Sequence, residues 1–323
     1  MLQTSFGIAT VAYLCLGAAA SGAAGIAAAS YIHSGARSAF AIKASLWTAL
    51  ASLLVGMGCL FVDLGRPLLA LNISFFSNFT SWAARGFWLL LASLPVYTLL
   101  LIVVSRAPSK ALASRWGFYR RNRNGIARAL SWLTLLLSIS LALYTGFLLY
   151  ESFGVPFWRT PLLPTLFLCG SANIGLCLFL GIQSWHPSTR NPPRRRGLPG
   201  VRPATHATSA RTATSTRPAA PAAVVALLAE AAVLALYLVW ASASPVEAAA
   251  QSFARLAFGE LSALFWLGIV LAGLLLPFFA TLLGASQLGR RHAAAFATLA
   301  LLGTAIGLAA LRYGIVFSGI TQY

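Results

Sequence analysis

The chain has 323 residues, 59% of them hydrophobic and 9% charged, whereas a soluble globular domain carries roughly 25% charged residues. That composition excludes an ordinary soluble domain and indicates an integral membrane protein. The net charge of +18 invites a nucleic-acid reading, but the cations cluster in the connections between apolar runs, the pattern of a topology-setting charge bias.

A bilayer core about 30 Å thick needs roughly 20 apolar residues per helical crossing. Eight segments meet that test, at about 6–30, 44–62, 86–105, 129–150, 161–183, 222–242, 259–285 and 293–317. Their lengths are those of helices, not of the ten-residue alternation of a membrane β-barrel. The expected fold is therefore all-α and polytopic, with eight transmembrane helices in two bundles.

The first segment, within "MLQTSFGIATVAYLCLGAAASGAAG", lacks the basic start of a cleaved signal and is expected to stay as a helix. Gly17, Ser21, Gly25 and Ala29 recur along it every four residues, a stripe that lets another helix come close. The second segment ends at Val62 and meets "DLGRP", where Gly65 suits a left-handed cap and Pro67 stops the helix. Asp63 and Arg66 are thereby left at a membrane boundary. Pro95 falls inside the third segment and Pro277 inside the seventh, where each is expected to kink its helix. The fourth segment closes with "YTGFLLYESFGVPFWRTPLLPTLF", which sets Tyr144 just inside the same boundary and Glu151 and Arg159 beyond it. The linker "HPSTRNPPRRRGLPGVRPATHATSARTATSTRPAAP", residues 186–221, has almost nothing to bury and reads as disordered and basic. It separates five segments in residues 1–185 from three in residues 222–323. Glu230 lies inside the sixth segment, Glu260 opens the seventh, and Arg312 stands one to two turns before the end of the eighth, in "RYGIVFSG".

Of the 23 Lys and Arg residues, eighteen fall to one face when the loops are assigned alternately. Arg66, Arg85, Arg159, Arg255 and Arg312 fall to the other, with Asp63, Glu151, Glu247 and Glu260. The positive-inside rule then makes the basic loops cytoplasmic and both termini external, in a bacterial inner membrane. Anionic lipid, rather than nucleic acid, is the expected partner of the basic loops.

Charged groups in apolar surroundings are costly and tend to be paired and functional. Asp63, Arg66, Tyr144, Glu260 and Arg312 share the outer level, which marks it as the candidate site. Glu230 is a proton-relay candidate that alternatively faces Asn173 or Gln183 in the fifth segment, or snorkels to the loop. The four histidines, His33, His186, His206 and His292, lie at or beyond the cytoplasmic ends, and the four cysteines show no metal-ligand spacing. No haem pair and no iron–sulfur ligand set is expected. The sequons at Asn72 and Asn78 are read as chance matches. An apolar pocket with a Tyr, an Asp and an Arg at one membrane face suits a quinol, whose protons go to a hydroxyl or carboxylate and whose electrons leave to a docked partner.

The segments "DLGRP…SW…RG", "YTGFLL…PFW…LP.LF", "FWLGIVLAGLLLP" and the late "R.GIVFSG" resemble the NrfD/polysulfide-reductase membrane-subunit family. The resemblance runs from the first segment to the eighth and is specific at "DLGRP" and "YTG". It implies eight helices, an exchangeable menaquinone/menaquinol pocket in the first four-helix bundle, and no haem or cluster in this chain. It also implies a ferredoxin-like iron–sulfur partner on the outer face, joined to a molybdopterin or multihaem catalytic subunit. Asp63, Arg66 and Tyr144 match pocket or docking positions, and Arg312 joins them in the late motif. Some members carry a His low in the first helix; Gln3, Thr4, Ser5 and Tyr13 are what this sequence offers there. Two other readings remain open: a secondary transporter, which would set charges at the midplane between inverted repeats, and a structural anchor without a quinone.

Overall fold

The structure is a computed structural model that describes residues 7–63, 82–105, 109, 114, 117–151, 154–185, 219–286 and 289–320. Eight helices in it are long and apolar enough to cross a membrane. They are α1 (Ile8–Ser34), α2 (Ala39–Asp63), α3 (Trp82–Val104), α4 (Gly117–Tyr150), α5 (Leu162–Trp185), α6 (Ala219–Ser242), α8 (Leu264–Ala285) and α9 (Ala293–Ser318). A ninth, α7 (Glu247–Ala257), is short and amphipathic and lies between α6 and α8. In lipid the backbone must satisfy its own hydrogen bonds, which is why each apolar run closes into a helix. The linker expected at 186–221 lies outside the described residues up to 218, and α6 is already helical at Ala219.

Helices α1 to α4 form one bundle, and α5, α6, α8 and α9 form a second. The two share a seam in which α1 packs on α5 and α9, and α4 packs on α5. The small-residue stripe of α1 faces α4: a Cβ on Gly17 would sit 3.6 Å from Thr145 Cγ2, and one on Gly25 3.2 Å from the Ser138 Cβ. On another face of α1, Gly22 meets the backbone of Ser171 and Gly175 in α5 so closely that neither glycine has room for a methyl group. Outward-facing Trp47, Leu54, Val55, Leu136, Val239, Trp266 and Leu302 are more than half exposed and form the lipid-facing surface.

One loop acts as a fastener. The "PFW" of the α4–α5 connection is a single 3₁₀ turn, Pro156–Trp158, driven into the seam. The Trp158 Nε1 donates to the Ile315 carbonyl at 2.9 Å, and the Phe157 carbonyl accepts from the Tyr237 hydroxyl at 2.9 Å, so α9 and α6 are tied to one loop. Pro95 lies within α3, which runs continuously through it. Before Pro277, by contrast, α8 is π-helical over Leu264–Leu275 and α-helical afterwards. A proline removes an N–H and crowds the preceding turn, and here the Leu276 N–H reaches back to the Leu271 carbonyl.

Candidate functional site

At the end of the first bundle that carries Gly7, a groove of about 540 Å³ opens between α3 and α4. Trp82, Arg85, Trp88 and Leu89 line it from α3, and Tyr144 and Phe147 from α4. All of these but Arg85 are apolar or aromatic, and the rings are arranged for more than bulk. Trp82 and Phe147 stack at 4.5 Å with their planes 7° apart, and the guanidinium of Arg85 lies 4.8 Å from the Trp82 ring. A flat, electron-rich wall with a cation over it is a surface on which another ring can lie.

The groove is held in shape from above and behind. Glu151, at the end of α4, accepts a hydrogen bond from the Trp82 backbone N–H at 3.0 Å through its Oε2. A carboxylate at a helix start satisfies orphan N–H groups and the helix dipole together, so Glu151 is the cap that fixes the start of α3. Tyr144 is 3% exposed. Behind it stands Tyr13 of α1, 1% exposed and within electrostatic reach of the Tyr144 phenol, with no geometrically sound hydrogen bond to its own hydroxyl. Gly86 of α3 lies against the Tyr144 ring on the third side.

Of the sequence-predicted residues, Tyr144 is placed in this groove. Asp63 ends α2, and α2 packs on α3, but its side chain lies outside the described residues, as does all of Arg66. Arg312 lies on the far side of α1. It is fully buried, its Nε donates to the Leu14 carbonyl at 3.1 Å, and its guanidinium sits 4.6 Å from the Phe167 ring. It faces the second bundle rather than Tyr144, a direction that level in the membrane does not reveal. Glu260 is at the surface, 2.9 Å from Arg255, whose Nη1 also donates to the Phe317 carbonyl. An exposed pair of this kind contributes about 0–1 kcal/mol and fastens the loop between α7 and α8 to the end of α9.

Glu230 faces Asn173, one of the two partners expected for it. The Asn173 Nδ2 donates both to the Glu230 Oε2 and, at 3.2 Å, to the Ala226 carbonyl. Sequence reasoning placed Trp82 and Arg85 in the "SW…RG" motif without choosing them as site residues, and passed over Trp88, because aromatic and basic residues at a helix start are also what a membrane interface selects. Among the described residues no group of three His, Cys, Asp or Glu side chains is placed to hold a metal ion.

Comparison with known proteins adds a lineage to this geometry. The family described as "Polysulphide reductase, NrfD" matches residues 2–190. Over 283 residues the protein is 30% identical to the C subunit of the polysulfide reductase of Wolinella succinogenes, covering 84% of this sequence and 80% of the relative. It is 28% identical to the protein NrfD of Escherichia coli over 157 residues, covering 46% of this sequence and 49% of that protein.

Proposed function

Because the chain belongs to the polysulfide reductase NrfD family, as both the family match and the similarity to the polysulfide reductase C subunit show, we propose that it is the membrane anchor of a respiratory complex and that it exchanges electrons with menaquinol. The observation that carries this reading is the groove around Tyr144. Its volume of about 540 Å³ lies within the roughly 300–1,000 Å³ of small-ligand sites, and its walls are largely apolar with a few convergent polar groups. It opens between two lipid-facing helices, the route by which a membrane-dissolved ligand would enter.

A bound quinol would supply two electrons and two protons. The protein's own residues do the rest: the Trp82–Phe147 stack and Trp88 hold the ring, and Arg85 sits over the stack. The Tyr144 hydroxyl hydrogen-bonds a ring oxygen, and Tyr13 keeps the phenol from receding. Asp63, three residues before Arg66 in sequence, receives the two protons one after the other at the outer end of α2 and releases each to the outer aqueous phase. The electrons pass to a peripheral iron–sulfur partner docked over this end, and through it to a molybdopterin or multihaem catalytic subunit. Arg312 and Glu230 are separated from the groove by α1 and take no part in holding the ring. The transporter reading would put substrate at the midplane; the structural-anchor reading would leave the groove without an occupant.

Tyr144→Phe tests the reading directly. The loss of one hydrogen bond corresponds to about 1 kcal/mol, roughly fivefold in affinity. Quenching of a fluorescent quinol analogue by the purified protein is expected to require about that much more ligand, with unchanged thermal unfolding. Analogue binding absent from the native protein would remove the proposal and favour one of the other two readings.

Orientation is tested separately. With the basic loops in the cytoplasm of a bacterial inner membrane, a reporter fused after Arg217 is expected to be active as a cytoplasmic fusion and one after Tyr323 as an external fusion. The opposite pattern would move the groove to the cytoplasmic face.

A further inference from the structure

The second bundle contains a buried acid and a buried base that stop short of one another. Glu230 of α6 is 8% exposed and Arg312 of α9 fully buried, yet no direct ion pair joins them. Both Nη1 and Nη2 of Arg312 lack a hydrogen-bond partner, and so does the Oδ1 of Asn173, which holds the other side of Glu230. A charged donor left unpaired in a dry interior costs several kcal/mol. The Phe167 ring against the guanidinium and the Leu14 carbonyl on its Nε offset only part of that cost and leave both Nη groups to be met.

The space for that lies beside Gly170. A Cβ placed on Gly170 would be 3.0 Å from the Glu230 Oε1 and 3.7 Å from the Arg312 Nη1. The two groups thus flank the Cβ-less Gly170 from either side, closely enough for one water standing off the glycine to reach both. An adjoining cavity of about 10 Å³ is bounded by Gly170, Glu230, Gly273, Thr304 and Gly307, close to the ≳ 10–15 Å³ that a single water needs. Its α8 wall is the π-helical stretch that carries Ile269 and Gly273, and such stretches recur at functional sites.

We propose that this spot holds an ordered water that accepts from an Arg312 N–H and donates to the Glu230 carboxyl, making a proton-holding site at the centre of the second bundle. The inference is independent of the quinol groove. The proton transferred is the carboxyl proton of Glu230: on addition of base it passes by way of the bridging water to hydroxide in the bulk, which becomes water, and the carboxylate that remains is balanced by Arg312, which stays charged throughout. No electron moves. Cys169 and Cys177 of α5 are the other titratable groups that act on Glu230, and Cys15 of α1 acts on Arg312. The α8 residues of the cavity wall, Ile269, Gly273 and Leu274, carry no charge.

Infrared difference spectroscopy of the full chain in lipid nanodiscs, titrated with acid and base without any quinol, tests this. A single protonated-carboxyl band is expected that disappears in Glu230→Gln and shifts when H₂¹⁸O replaces ordinary water, through the change in its bridging partner. Gly170→Ala, whose methyl crowds the space between the two groups and displaces the water, is expected to shift the same band and abolish its response to H₂¹⁸O, while Tyr144→Phe leaves both intact. A wild-type protein with no such band, or with a band indifferent to H₂¹⁸O, overturns the proposal. Should Gly170→Ala fail to fold, the labelled-water experiment on the wild type and Glu230→Gln decides alone. Normal binding of the fluorescent quinol analogue in Glu230→Gln keeps a failure here distinct from a failure of the groove.

Discussion

Asp63→Asn is expected to lower quinol-driven turnover of the assembled complex by at least a hundredfold while leaving the subunit folded and bound to the proposed iron–sulfur partner. Two physical accounts of "DLGRP" give very different numbers. If Asp63 only neutralises Arg66 at a helix end, its removal sacrifices an interfacial ion pair of about 1 kcal/mol or less, and turnover barely changes. If it receives a quinol proton, its loss forfeits general-base catalysis worth roughly 10²- to 10⁴-fold. Asn keeps the shape and cannot take the proton, so it separates the two. The placement favours the second account: α2 ends at Asp63 and packs along α3, whose start carries Trp82 and Arg85 on the groove wall. Steady-state oxidation of a water-soluble quinol by the complex, alongside co-purification of the partner, is the measurement. Wild-type turnover with intact assembly would return "DLGRP" to the role of a helix stop.

The architecture was legible because it follows from a single quantity, apolar length. All eight spans were placed from hydropathy, and they agree with the helices to within a few residues at most ends. The extra helix α7 fell in the connection between the sixth and seventh spans, because "EAAAQSFARLA" is amphipathic and too short to cross a bilayer. The π-helical stretch was illegible for the opposite reason: "LFWLGIVLAGLL" is uniformly apolar and carries no register signal. Only Pro277 hinted that the helix changes there.

The candidate site was legible in depth but not in direction. Tyr144, Asp63 and Arg312 were assigned to one level, and depth along a helix is fixed by a rise of about 1.5 Å per residue. Which way each side chain points depends on the rotation of its helix, which a uniformly apolar sequence does not set. Hence Tyr144 turned to α3, while Arg312 turned to the seam between α1 and α5. Glu230 was the exception: a buried carboxylate requires a donor, α5 offers few, and Asn173 was one of two.

Gly86→Ala is expected to impair quinol binding more than Tyr144→Phe does, by roughly thirtyfold, although it adds one methyl group to a helix. A Cβ at Gly86 would fall on the Tyr144 ring, overlapping its Cε2, Cζ and Oη. The ring cannot retreat inward, because Tyr13 is packed behind it with 1% exposure. Its remaining escape is into the groove, where it would occupy the space of the quinol ring. Overpacking of this kind costs about 2 kcal/mol, which corresponds to the thirtyfold change when it falls on the binding-competent state. Global stability should change little, since replacing glycine by alanine inside a helix returns roughly 0.5–1 kcal/mol. Gly58→Ala on α2 is the control, because a methyl group there meets open space; it should leave binding untouched. The sharper test is a double-mutant cycle. With the ring removed by Tyr144→Ala, adding Gly86→Ala should have little further effect on binding, because the three atoms nearest its methyl all belong to that ring. Wild-type affinity in Gly86→Ala, or full additivity in the cycle, would show that the quinol ring lies elsewhere than against Tyr144.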